Sequence, residues 1–218
     1  ESTIRRVLMA AGKEDTKMET GNDPSEQFGR VELMQGLVTT AASWMREAVA
    51  AMRVSDSAGY LPWALAILAQ AEAMAGDAGA ARRTLDEGRA AARLSTALFE
   101  IDFALAEVWA LHAEGRDTDA VRRGGELADA LADQPVMDAL LRHATLRFGA
   151  EATPLAASLA EIAANCESEL PHLFAEHARA VASRDVGALE TLAGRFHELA
   201  STSSLPKRRP RHPRCHGR

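Results

Sequence analysis

Five short breaks interrupt an otherwise near-continuous helical pattern, and their spacing limits what the chain can fold into more than any other feature. They fall at Gly36 in MQGLVTTA, Gly76 in MAGDAGAA, Gly115 in AEGRDTDA, Gly149 in RFGAEATP and near Asp185 in SRDVGALE. The intervals between them are 40, 39, 34 and 36 residues. Gly and Asp are turn and cap residues, so each break reads as a link between helices, and each interval has room for two of them.

Two helices repeated at a period of about 34 to 47 residues are the signature of tetratricopeptide and related α-solenoid repeats. One pair cannot bury both of its apolar faces, so stacking on neighbours must supply the core. Close packing needs a small residue where two helices cross, with a larger one beside it to fill the groove. Ala81 with Leu85, Ala156 with Ala160 and Ala188 with Leu192 follow the breaks at that spacing. Residues 60–75, YLPWALAILAQAEAMA, are apolar on nearly every face and predict a central helix. Residues 80–94, AARRTLDEGRAAARL, have a clear polar face and belong outside. Leu98, Ile101, Leu105, Val108, Trp109 and Leu111 form one apolar stripe. The expected fold is all-α, with antiparallel helix pairs stacked as a TPR-like α-solenoid, a right-handed superhelix. About five pairs occupy residues 28–201, after a leading segment and linker at 1–27 and before a disordered basic tail at 202–218.

Composition agrees with helices. About a fifth of the 218 residues are Ala and only 5% are aromatic, whereas a β protein is rich in branched and aromatic side chains. No apolar run approaches the roughly 18 to 20 residues of a membrane span, and the first residues do not resemble a signal peptide. Cys166 and Cys215 match neither a disulfide framework nor a CxxC zinc site, which points to the cytoplasm. The chain begins with Glu1, as a piece of a longer protein would. Residues 206–218, PKRRPRHPRCHGR, hold six of the 25 Lys and Arg, leaving 19 against 31 acids and a net charge of −12 on the rest. An acidic body repels a phosphate backbone, so nucleic-acid contact would fall to the tail or to residues outside the chain. Lys207, Arg208, Arg209, Arg211 and Arg214 form a basic arm, or else the out-of-frame end of a GC-rich gene.

Phosphate-binding loops, dinucleotide fingerprints, nucleophile elbows and HExxH helices are missing from the sequence, so neither a catalytic residue nor a cofactor is expected. His172 and His177 lie near Cys166, Glu169 and Glu176. Five residues along a helix set the two rings about 140° apart, however, which argues against a shared metal. Trp44, Tyr60, Trp63 and Trp109 are candidates for a ligand or partner groove, against the plainer role of filling gaps between Ala-rich helices. Asp77, Asp86, Glu87, Asp117 and Asp119 read as a solvated face, with Asp77 and Asp117 placed as N-caps. In the last pair Leu189, Leu192, Phe196 and Leu199 have nothing obvious to cover them, which suggests a homodimer contact or the scar of a truncation.

Two segments, GYLPWALAILAQAEAMAGDAGAARRTLDEG at 59–88 and HLFAEHARAVASRDVGALETLAGRFHELA at 172–200, resemble the helical-repeat region of large actinobacterial LuxR-type transcriptional regulators. These are similar to the maltose-regulator class of signal-transducing ATPases. The resemblance covers residues 28–201. It implies a non-catalytic sensor or interaction segment that binds a protein partner or a small-molecule inducer. In that family a nucleotide-binding module precedes the repeats and a helix-turn-helix follows them, so DNA would be reached only through a C-terminal domain that this chain lacks. The alternative is a stand-alone TPR-like adaptor for protein–protein interaction.

Overall fold

The computed structural model describes residues 32–33, 36–56, 59–92 and 99–202. Among the described residues the chain is all-helical, with nine helices and no strand. They are α1 (Val38–Val54), α2 (Leu61–Met74), α3 (Ala78–Ala91), α4 (Glu100–Ala113), α5 (Asp117–Ala130), α6 (Pro135–Arg147), α7 (Ala152–Ala164), α8 (Glu169–Ser183) and α9 (Val186–Thr202). Among the described residues no helix is long and apolar enough to cross a membrane.

The breaks read from the sequence are where helices stop, and they stop by one device. The Gly76 N–H donates to the Ala73 carbonyl at 2.9 Å and the Asp77 N–H to the Glu72 carbonyl at 3.0 Å. This is a Schellman turn, which satisfies carbonyls that the helix end leaves open. The same two bonds recur with Gly36, Gly115, Gly149 and Arg184 in the place of Gly76. All five residues have positive φ, from 55° at Arg184 to 96° at Gly149. A residue with a β-carbon pays about 1–2 kcal/mol in this region, which is why Gly fills four of the five positions. Arg184 is the exception. The next helix then begins within a few residues: Asp77 Oδ1 accepts from the Ala80 N–H at 2.9 Å, and Asp185 Oδ1 from the Ala188 N–H at 3.0 Å. Asp117 does not cap. It lies inside α5, behind Arg116, and its carboxylate meets His112 Nδ1 at 2.6 Å instead.

Each helix packs on the next in sequence, except that α3 and α4 are also joined through α2. The even-numbered helices make further contacts along their own row, α2 with α4, α4 with α6 and α6 with α8. This divides the helices by burial. In α2, Ala64 to Ala69 are all buried, whereas α3 buries only Ala81, Leu85 and Gly88. Helix α4 departs from the single stripe expected of it. It buries Asp102, Phe103, Ala104, Ala106 and Ala110 besides Ile101, Val108, Trp109 and Leu111, because α2, α3, α5 and α6 all touch it, while Leu105 is half-buried. Leu98 lies outside the described residues. The apolar face of α9 is covered in part, with Leu189, Phe196 and Leu199 half-buried. Leu192 is buried and Leu189, Phe196 and Leu199 pack beside it on Leu173 and Ala180 of α8.

Two helical glycines mark the closest crossings. A β-carbon at Gly88 would stand 3.1 Å from Leu65 Cβ and 3.2 Å from Phe103 Cε1, and one at Gly124 only 2.4 Å from Thr145 Cγ2. Gly124→Ala should therefore lower the stability by about 1–3 kcal/mol, despite Ala's better helix propensity, as read from denaturant midpoints. At the turns, Gly76→Ala and Gly115→Ala should each cost about 1 kcal/mol, whereas Arg184→Gly should cost nothing or stabilise. A loss at Arg184→Gly equal to that at Gly76→Ala would contradict this account of the turns.

Candidate functional site

Counting back from each turn residue identifies equivalent floor positions on the even helices. Four residues before the turn stand Glu72, Leu111, Thr145 and Ala180; eight before it stand Leu68, Glu107, Leu141 and Glu176. The odd helices flank these floors, and the side chains differ enough to give each position a different filling.

At the first, Glu72 is buried and bridges three helices. Arg46 Nη2 of α1 donates to Oε1 at 3.2 Å, and the Thr84 hydroxyl of α3 donates to Oε2 at 2.7 Å. The second carries Leu111 within a groove of about 520 Å³ lined almost wholly by charge. An unbroken chain of ion pairs crosses it: Arg89, Glu107, Arg123, Glu126, Arg122, Asp119, Arg116, Glu114 and Arg82. Hydrogen bonds from Arg82, Arg116 and Arg122 hold the Glu114, Asp119 and Glu126 carboxyls below the usual carboxylate range. The third floor is closed by packing, with the Thr145 methyl in the space that Gly124 leaves.

The fourth is open. Ala180 stands where α4 has Leu111, and with Ala160, Ala163, Ala164 and Ala175 it forms the floor of a cavity of about 590 Å³ between α7, α8 and α9. That is a size typical of ligand sites, and every floor side chain ends at its β-carbon. The rim is polar. Glu176 binds Arg195 of α9, which also reaches Glu169 at 3.5 Å. His172 Nε2 lies 3.1 Å from the Cys166 carbonyl. Arg179 lines the cavity without an ion-pair partner among the described residues.

Beside this cavity is a cluster that the sequence did not suggest. His143 of α6 stacks on Phe174 of α8, centroids 4.0 Å apart and planes 10° from parallel, and Phe196 of α9 lies 5.9 Å away. Its Nε2 is 2.9 Å from His177 Nδ1, so the two neutral rings share one hydrogen. Burial lowers the His143 pKa to about 3, with His177 and the Arg147 cation adding to the effect; burial and Arg147 lower that of His177. His172 and His177 thus have separate partners, a backbone carbonyl and a second imidazole. The signal for His143 was available only as a spacing, 34 residues before His177, one repeat.

The four aromatic candidates do not form one groove. Tyr60 and Trp63 lie edge to face at 6.2 Å and both meet Phe99, while the Trp63 indole N–H donates to buried Asp102 at 3.0 Å. Trp109 belongs to another set, with Phe148 at 4.9 Å and the Arg147 guanidinium 4.6 Å over its ring. Trp44 is half-buried on α1. Lys207, Arg208, Arg209, Arg211 and Arg214 lie outside the described residues.

Comparison of the chain with family models, curated proteins and solved structures gave no match.

Within the charged groove Glu107 is the acceptor shared by α3 and α5, through Arg89 and Arg123. Glu107→Ala should cost about 1 kcal/mol at low ionic strength and less than half of that in 1 M NaCl, whereas Arg122→Ala, at the exposed middle of the chain of ion pairs, should change little. Thermal melts of both variants at two salt concentrations would check it; a salt-independent loss at Glu107 would indicate packing instead.

Proposed function

We propose that this chain is a non-catalytic helical-repeat scaffold, a TPR-like α-solenoid whose open groove between α7 and α9 binds a small molecule or a segment of a partner protein. The observation that carries the reading is the cavity over Ala180, at a floor position where earlier repeats place Glu72, Leu111 and Thr145. The groove around Leu111 is crossed by an unbroken chain of ion pairs, whereas the one over Ala180 has a floor of small apolar side chains, which suits it to a ligand.

The solenoid reading is supported by the five identical turns. Links of two to four residues between helices such as α2 and α3 favour a reversal of the chain, which supports antiparallel hairpins, and the contacts along α2, α4, α6 and α8 support a side-by-side stack. The resemblance of residues 59–88 and 172–200 to LuxR-type regulators favours a sensor or interaction segment of a transcription regulator, in which this groove takes an inducer or a regulatory partner. A ligand held there would touch α7, α8 and α9 together and so stabilise the end of the array.

A thermal-shift screen of small metabolites and peptides against the wild-type chain and an Ala180→Trp variant tests the assignment. The expected outcome is a class of compounds that raises the wild-type Tm by several degrees and leaves the variant unmoved, because the indole fills the floor. If the same compounds stabilise both chains equally, or none stabilises the wild type, the groove is not the binding surface.

A further inference from the structure

The helix that forms one wall of the open groove is held by an unusual joint. Among the described residues α9 is held by Leu192, with Leu189 and Leu199 beside it, against Leu173 and Ala180 of α8, by the ion pairs of Arg195 with Glu176 and Glu169, and by Phe196 against the histidine cluster of α6 and α8. Phe196 lies 6.1 Å from Phe174, 6.0 Å from His177 and 5.9 Å from His143, so the ring of α9 rests on an aromatic platform in which two of three members titrate. From the geometry we infer that docking of α9 is proton-sensitive: taking up protons at the His143–His177 pair releases this helix and opens the wall of the α7–α9 groove.

The charges around the pair set the sign. On α6 the neighbouring charge is Arg147, a cation that bears on both rings. On α8 Glu176 is engaged with Arg195 of α9; on α9 His197 and Glu198 are exposed, and on α7 Glu161 is exposed. Among the described residues neither imidazole therefore has a carboxylate as its partner. One added proton places a second cation beside Arg147 in a desolvated cluster. Two protons give both facing nitrogens a hydrogen, and the 2.9 Å bond between the rings is lost. With α9 released both rings lose the cover of Phe196 and gain contact with water while Phe174 and Arg147 stay in place, so their affinity for protons rises part of the way to that of a free imidazole and acid favours the released state. Stabilisation from docking is complete above the unfolded value of about 6.5 and declines as pH falls below it.

The inference rests on reading that groove as the binding surface, but its test needs no ligand. Amide hydrogen exchange of the full chain at pH 7.0 and 5.5, expressed as protection factors, compares α9 with α2 as an internal reference. Protection of residues 186–202 should fall by up to roughly tenfold per histidine between the two pH values, while residues 61–74 change by less than about threefold. In His143→Phe/His177→Gln the fall at α9 should disappear. Should the double variant not fold, His177→Gln alone keeps an acceptor for His143 and should reduce the fall to at most about tenfold. The inference is overturned if wild-type α9 keeps its protection at pH 5.5, if the variants lose as much as the wild type, or if α2 opens in step with α9. A failure here leaves the groove to be judged by the ligand screen, which is run at pH 7 and does not depend on the histidines.

Discussion

One backbone conformation, the residue of positive φ that closes each Schellman turn, sets up everything else in this chain. It satisfies the open carbonyls of one helix and ends that helix within a few residues of the next, which packs on its predecessor. Helices brought together that tightly need small residues where they cross. This is the physical reason for Ala at 81, 120, 128, 139, 163 and 178, all buried, and for Gly at 88 and 124. Large side chains are then needed only between crossings, and Leu65, Leu85, Leu141, Leu159 and Leu173 are among the largest that are fully buried.

Faces built from Ala are smooth, and smooth faces slide. Three buried carboxylates act against that. Glu72 ties α2 to both α1 and α3, Asp102 ties α4 to α2 through the Trp63 indole, and Asp138 of α6 binds Arg142, which reaches Asp129 of α5 at 2.7 Å. Burial raises the Asp138 pKa against the pull of Arg142, the expected result when desolvation outweighs a short ion pair. Such groups add little net stability. What they add is register, because an offset of one helical turn would leave a carboxylate buried with no partner, at a cost of several kcal/mol.

The helices and their breaks were legible because they rest on local chemistry. Gly76, Gly115 and Gly149 stop helices whatever surrounds them, and residues 60–75 are too apolar to lie anywhere but inside. The contents of the grooves were not legible, since they depend on which residues one repeat apart come to face each other. Glu72 is one acid in an otherwise apolar helix with no partner nearby in sequence, Asp117 follows a break where a cap is expected, and His143 had no neighbour in sequence to suggest His177. The apolar face of α9 looked bare for a related reason: its cover, Leu173 and Ala180, lies on the preceding helix, where the same residues also read as that helix's own core.

Position 180 connects the two properties of the C-terminal end. A Leu there, as at 111 in α4, would reach the flanking helices and contribute roughly 1.5–3 kcal/mol of burial. Ala gives up that contact, and two consequences follow from the one missing side chain. The space widens, and α9 loses a large apolar contact with the floor, leaving its hold to Leu192 with its neighbours Leu189 and Leu199, to the pairs of Arg195 and to Phe196. Only one of these, Leu192, is buried, so the wall rests on contacts that solvent reaches. The histidine pair under Phe196 is the contact whose strength depends on the medium. In the reading proposed above, the openness that would admit a ligand at α7–α9 is therefore the same feature that would leave this end of the fold open to control.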